Sequence, residues 1–306
     1  MQIGAFDIQS PDPPLREPHC IAMLRPWVNV GNVGATTLRR LAEVFGATEI
    51  GRLSRPSEFY DYTRYRPQMN LSGDRRTVTV PNTIVFAGRR DSPPDLLLLQ
   101  MLEPHARAED FNDSITEVLR HLKVSRWVLV GGMYDSVPHS RPLAVTGSAR
   151  GWDAPPELGG VRLRRGSYQG PTSMTSDLTQ RIHEREGLET LSLIVHLPLY
   201  LKLDDDYQGA ARLLHALSSV YELGENLPED ALGEQQYAQV TPALTNNPSL
   251  AELVARLEEE HDRRIAAGNE GQTEGKVELP ADIERFLKGL ENKPEDGEQG
   301  PQFGDV

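Results

Sequence analysis

The chain has 306 residues, a formal net charge of −13, one cysteine and 6% aromatic residues. That length suits one large domain or two small ones with a substantial core, and Cys20 alone excludes an intrachain disulfide or a cysteine-rich zinc site. No apolar run approaches the ~20 residues that span a bilayer, and residues 1–14 lack the basic and apolar blocks of a secretory signal, so a cytoplasmic protein without a membrane partner is expected.

The charge is unevenly placed. Residues 1–221 carry 25 Lys+Arg and 25 Asp+Glu, whereas residues 222–306 carry 7 and 20. A neutral body with an acidic end lacks the positive field that grips phosphate backbones, so nucleic acid is not an expected partner. Three segments follow: an extended, proline-rich arm over 1–19, an α/β domain over 20–223, and an acidic helical extension over 224–306.

Ile21 to Trp27 reads as the first strand, followed by the glycine turn Val28 to Gly34 and a helix to Phe45. Leu38, Leu41, Ala42 and Phe45 share one face of that helix, so the unit opens a βαβ pattern. Gly31 and Gly34 invite a phosphate-cradle reading, but neither the three-glycine dinucleotide fingerprint nor the P-loop ending is present. Asn29 and Asn32 remain as polar groups just past the strand. Ser57 to Pro67 gathers Phe59, Tyr60, Tyr62 and Tyr65 with two arginines. Packing onto the core ranks ahead of a protein interface, and the two acids argue against a base-stacking platform.

Arg76 to Pro81 and Thr83 to Ala87 read as two short strands. Asp95 to Leu102, with four consecutive leucines, reads as a central buried strand ended by Pro104, leaving Glu103 and His105 just beyond. A helix over Ala106 to Leu122 and a strand from Trp127 complete a parallel crossover. Gly131 and Gly132 are expected to end that strand and open a turn. Asp135, His139 and Arg141 follow on a loop stiffened by Pro138 and Pro142. Further strands are expected at 143–147 and 190–197, with a turn at 168–172 and helices at 175–186 and 207–221.

The alternation of strands and helices predicts an α/β layered body with a mostly parallel sheet. Ligands of such sheets bind beyond the carboxyl ends of the strands, where Asn29/Asn32, Glu103/His105 and Asp135/His139/Arg141 would line one crevice. A carboxylate, an imidazole and a guanidinium there suit acid–base work on an anionic or glycosidic substrate. No histidine pair has metal-ligand spacing, and no Gly-x-Ser-x-Gly elbow appears. After Leu223 the segment 228–247 is polar and weakly patterned. Ser249 to Glu252 is a capping box that starts a helix with the stripe Leu250, Leu253, Val254 and Leu257. A second short helix is expected after Pro280, and a disordered end over the last 15 residues.

Six stretches stand in the order of a known family. They are Trp27 to Gly34; Glu58 to Tyr62 with Arg66-Pro67; Leu97 to Pro104; Val137 to Pro142 with Val145-Thr-Gly147; Tyr168 to Pro171; and Pro198 to Leu201. With them the chain resembles the bacterial branch of the proteasome assembly chaperone 2 family over about Trp27 to Tyr221. The resemblance implies a three-layer α/β/α fold similar to purine nucleoside phosphorylases, no cofactor, no enzyme activity, and self-association or pairing with a related subunit. Members that dock on proteasome α-subunits end in a hydrophobic residue, a tyrosine and any residue, whereas this chain ends Gly304-Asp305-Val306. The expectation is therefore a non-enzymatic, assembly-chaperone-like protein. The alternative is a cryptic enzyme or small-ligand binder using the strand-end crevice.

Overall fold

A computed structural model describes residues 1–73, 75–155, 157–163, 173–224, 226–240, 242 and 248–266. The first half of the chain forms β1 (Gln2–Ile3), β2 (Phe6–Ile8), β3 (His19–Arg25), α1 (Val33–Val44), β4 (Thr48–Leu53), β5 (Gln68–Ser72), β6 (Arg75–Thr79), β7 (Ile84–Gly88), β8 (Leu96–Leu102) and α2 (Ala108–His121). The second half forms β9 (Arg126–Asp135), β10 (Val145–Arg150), β11 (Glu157–Leu158), β12 (Val161–Arg162), α3 (Met174–Glu186), β13 (Glu189–Pro198), α4 (Tyr207–Tyr221), α5 (Pro228–Ala238) and α6 (Pro248–Ala266).

Nine strands form one sheet in the order β1-β2-β4-β7-β8-β3-β9-β13-β10. Its centre, β8-β3-β9-β13, is parallel, and antiparallel pairs flank it on both sides. The leucine run of β8 is buried throughout, as a strand covered on both faces requires. Alternate residues feed two clusters. Ile21, Met23, Leu96, Leu98, Val128 and Val130 pack with α1 and α4, while Cys20, Leu24, Leu97, Leu99 and Trp127 pack with α2 and α3. Helices therefore cover both faces, and the carboxyl ends of the four parallel strands share one edge.

Several elements differ from what the sequence predicts. Strand β9 does not end at its glycines but runs through them to Asp135. A Cβ on Gly131 would lie 2.2 Å from the Val28 carbonyl oxygen, so this glycine admits the close approach of the loop after β3 rather than a turn. The N-terminal arm is partly sheet: β2 pairs with β4 and buries Phe6 and Ile8. Strands β4 and β5 were not foreseen. Within the polar stretch 228–247, α5 packs on α4, and its buried Glu229 is held by Arg40 at 2.9 Å. The turn at 168–172, the second C-terminal helix and the acidic end lie outside the described residues.

Candidate functional site

The side chains of Asn29, Asn32, His105, Asp135, His139 and Arg141 each take part in a bond within the chain, and Glu103 does so through its backbone. After β3, Asn29 Oδ1 accepts the Ala35 amide at 3.1 Å and Asn29 Nδ2 donates to Asn32 Oδ1 at 3.1 Å. Asn29 thereby satisfies a free N–H of the first turn of α1, the task of a capping residue. After β8, the Glu103 amide donates to the Arg25 carbonyl at 2.8 Å, and the Glu103 carbonyl accepts the Tyr65 hydroxyl at 3.2 Å. His105 Nδ1 accepts the Asp61 amide at 3.1 Å, and its ring lies 4.5 Å from that of Tyr65.

The aromatic stretch is core. Phe59 and Tyr60 are buried. Phe59 meets Phe111 edge-on at 5.6 Å, and the Tyr60 hydroxyl bonds Thr83 Oγ1 at 2.6 Å. Tyr62 is half-buried against the same cluster. As an interface, Phe59 and Tyr60 are thus unavailable, because burying their rings is what anchors the 59–67 loop.

At the end of β9, His196 Nδ1 donates to Asp135 Oδ2 at 2.8 Å, which leaves Nε2 to accept the Thr146 hydroxyl at 2.5 Å. Aspartate, imidazole and hydroxyl stand in the order used by hydroxyl nucleophiles. Here the three come from paired strands: Asp135 closes β9, His196 lies in β13 and Thr146 in β10. The bonds tie the three strands together and satisfy both nitrogens of a buried ring.

His139 and Arg141 face α6. The His139 amide donates to the Tyr200 hydroxyl at 2.8 Å, and His139 Nδ1 bonds the same hydroxyl at 2.7 Å. Burial lowers the His139 pKa against a smaller raising effect of Glu258, so the ring is neutral near neutral pH. Its buried Nε2 has no protein partner. Arg141 forks onto Asp262, with Nε to Oδ1 at 2.9 Å and Nη2 to Oδ2 at 2.8 Å, and Ser140 donates to Glu258. The Arg141 fork, helped by His261, holds the Asp262 carboxyl below the ordinary range. Beneath these ties, Leu253, Val254 and Leu257 of α6 are buried against Tyr200.

The structure thus pairs Asn29 with Asn32, joins Glu103 and His105 through Tyr65, and sends Asp135, His139 and Arg141 to three different partners. Those partners, His196, Tyr200 and Asp262, were not picked out from the sequence as site residues. Tyr200 left a signal as part of the Pro198 to Leu201 stretch, and His196 stands at the end of the strand expected over 190–197. Among the described residues no group of three or more His, Cys, Asp or Glu is placed to hold a metal ion, and no helix is long and apolar enough to cross a membrane. An enclosed apolar cavity of about 10 Å³ beside Cys20 and Leu97 has room for a single water at most. An open hollow of about 570 Å³ lies between Gly159 and α4, lined by Arg212 and His215, away from the strand ends.

The model of the PAC2 family matches residues 23–239. A protein of unknown function from Corynebacterium glutamicum superposes with a TM-score of 0.75 over 86% of this chain and 99% of its own, at 19% identity. A PAC2 family protein from Streptomyces avermitilis gives 0.68 over 78% and 99%, at 24% identity. A proteasome-assembly chaperone homologue from Mycobacterium tuberculosis gives 0.67 over 77% and 99%, at 23% identity. Identities this low are a likeness of fold. No protein with a curated description matches the chain.

Proposed function

Because the chain belongs to the PAC2 family, we propose that it works by binding proteins, as a non-enzymatic, assembly-chaperone-like factor in the cytoplasm that also self-associates. Its body is read as the three-layer plan of nucleoside phosphorylases put to a binding use. The observation that carries this reading is the employment of the strand-end groups: Asn29 caps α1, Asp135 holds His196, and Arg141 holds α6. A crevice whose polar groups are engaged in this way leaves few of them to turn toward a substrate.

Two-step affinity isolation of the tagged protein from its own host, with quantitative mass spectrometry, tests the reading. A partner in near-stoichiometric amount is expected, caught as an incomplete assembly, with the tagged protein itself absent from the finished particle. The competing reading is a hydroxyl nucleophile at Thr146, favoured by the Asp135–His196–Thr146 relay. Labelling of the native protein by a phosphonate probe, lost in Thr146→Ala and in His196→Ala, would establish that reading and overturn the first.

A further inference from the structure

We infer that the hollow between α4 and the β11–β12 turn is a binding site for a small polar ligand carrying an oxyanion, with Arg212 as the group that receives the charge. This goes beyond the protein-binding reading above and does not rest on it.

The hollow is made by two glycines and one face of a helix. In α4 the residues Leu213, Leu214, Leu217 and Tyr221 are buried. Arg212, His215 and Ser219, at i, i+3 and i+7, are left on the outer face. Leu158 pairs with Val161, so Gly159 and Gly160 are the two central residues of a hairpin turn, at φ 54° and 78°. Positive φ at both positions is the conformation that glycine adopts without strain. A Cβ on Gly159 would lie 2.6 Å from the His215 carbonyl oxygen and 2.8 Å from the Ala216 Cα, so the turn rests directly on the backbone of α4. The space lined by Gly159, Arg212, His215, Ser218, Ser219 and Gly224 measures about 570 Å³, within the roughly 300–1,000 Å³ of small-molecule sites.

The Arg212 guanidinium is held in place but not neutralised. Its Nε donates to the Leu143 carbonyl at 3.1 Å, which orients the planar group. Nη1 and Nη2 have no hydrogen-bond or ion-pair partner among the described residues. They lie 3.9 and 4.0 Å from the point a Gly160 Cβ would occupy, so glycine at this position puts no side chain over them. Arg40, Arg120 and Arg141 each have a carboxylate that raises their pKa. Arg212 has none, and burial lowers its pKa. A half-buried cation without a counter-charge is costly, and a guanidinium fork matches the geometry of phosphate and carboxylate.

The neighbouring groups set the rest of the chemistry. Ser218 Oγ accepts the Leu223 amide at 3.3 Å, which leaves its own O–H to donate. His215 Nε2 donates to Asp230 Oδ1 at 2.7 Å, so the neutral ring keeps Nδ1 as an acceptor. Two amino groups and a hydroxyl proton therefore suit the oxyanion, and the imidazole nitrogen suits a hydroxyl of the same ligand. Among the described residues the lining holds no large apolar side chain. That favours a compact hydroxylated acid or phosphate ester over a nucleotide or a lipid.

Amide NMR on the full chain, titrated with inorganic phosphate and separately with acetate at constant ionic strength, tests this. The Gly160 and Leu223 amides should shift together and saturate. Tighter saturation by phosphate marks a phosphate ester as the source of the oxyanion, and tighter saturation by acetate a carboxylate. Arg212→Gln should weaken binding roughly 10-fold or more, as loss of a charge-assisted hydrogen bond does, and Arg212→Lys should keep part of it. Gly160→Asp provides a second route that leaves the Arg212 bond to Leu143 intact. It supplies an internal carboxylate to the guanidinium, so saturation by phosphate should disappear while the far-UV spectrum stays unchanged. Arg89, an exposed arginine after β7, serves as control, and Arg89→Gln should bind as wild type does. Shifts that grow without saturating, wild-type affinity in both Arg212→Gln and Gly160→Asp, or equal weakening by Arg89→Gln would overturn the assignment.

Discussion

Helix α6 and the β5–β6 hairpin both stand outside the two main clusters of the core, and both carry a narrow apolar face. Helix α6 buries Leu253, Val254 and Leu257 against Tyr200, whereas the hairpin leaves Met69, Leu71 and Val78 in water. The difference lies in the rim around each apolar stripe. Helix α6 offers Glu258 and Asp262 to a loop that presents Ser140 and Arg141, so ion pairs fix the register in which the leucines descend. Such pairs add little energy on their own, but a two-pronged fork adds geometry. The hairpin has the opposite charge, with Arg76 among its apolar residues.

The same truncation in the two pieces should separate them most widely. Leu253→Ala is expected to cost about 2–5 kcal/mol locally, the price of a cavity in a packed site. Limited proteolysis should then cut within 248–266 while the rest of the body resists. Cleavage equal to wild type would mean that α6 is not held by this stripe.

Acid should reach the body before it reaches the α6 ties. Burial, with Arg126 and Arg90 adding to it, lowers the His19 pKa to about 4. The unfolded chain therefore binds this proton between pH 6.5 and 4 while the folded chain does not. Stability from His19 is whole above pH 6.5 and is lost as pH falls toward 4, on the order of 2 kcal/mol after allowing for the partly exposed ring. Urea denaturation at a series of pH values checks this, and His19→Gln should flatten the slope. Asp262 has its pKa lowered by the Arg141 fork, so its contribution is present above the ordinary carboxylate range and disappears only at more acid pH.

Arg141→Ala should loosen α6 less than Leu253→Ala does, because the fork is partly exposed and screened. In wild type, added salt should mimic part of the change, and in the variant salt should have little further effect. Leu71→Ala comes last. Below the concentrations at which copies meet, it should move stability by no more than about 0.5 kcal/mol, as exposed substitutions do. A larger loss in thermal melting would show that the hairpin packs on its own body.

Much of this fold is legible in local pattern. The Leu96–Leu99 run, the stripe of α1 and the Leu253 stripe all bury what their spacing implies. What escapes is whatever depends on distant residues. The polar sequence of α5 hides a packed helix because one of its inward groups is Glu229, acceptable only with Arg40 from α1 beside it. Gly131 reads as a turn because nothing local reveals that Val28 leans on it. The strand-end groups sit at the edge where the pattern puts them. Their partners His196, Tyr200 and Asp262 lie about 60 to 120 residues away along the chain, so spacing could not tell an open crevice from one whose groups are already employed.

Hydrogen exchange on the dilute chain is the most direct test of the contrast between a helix covered by its own body and a hairpin whose apolar face is left in water. Amides in 253–264 should be protected well above coil rates. Amides in 68–79 should exchange near coil rates under the same conditions. Equal protection in the two segments, or protection of the hairpin with α6 at coil rates, would contradict the account.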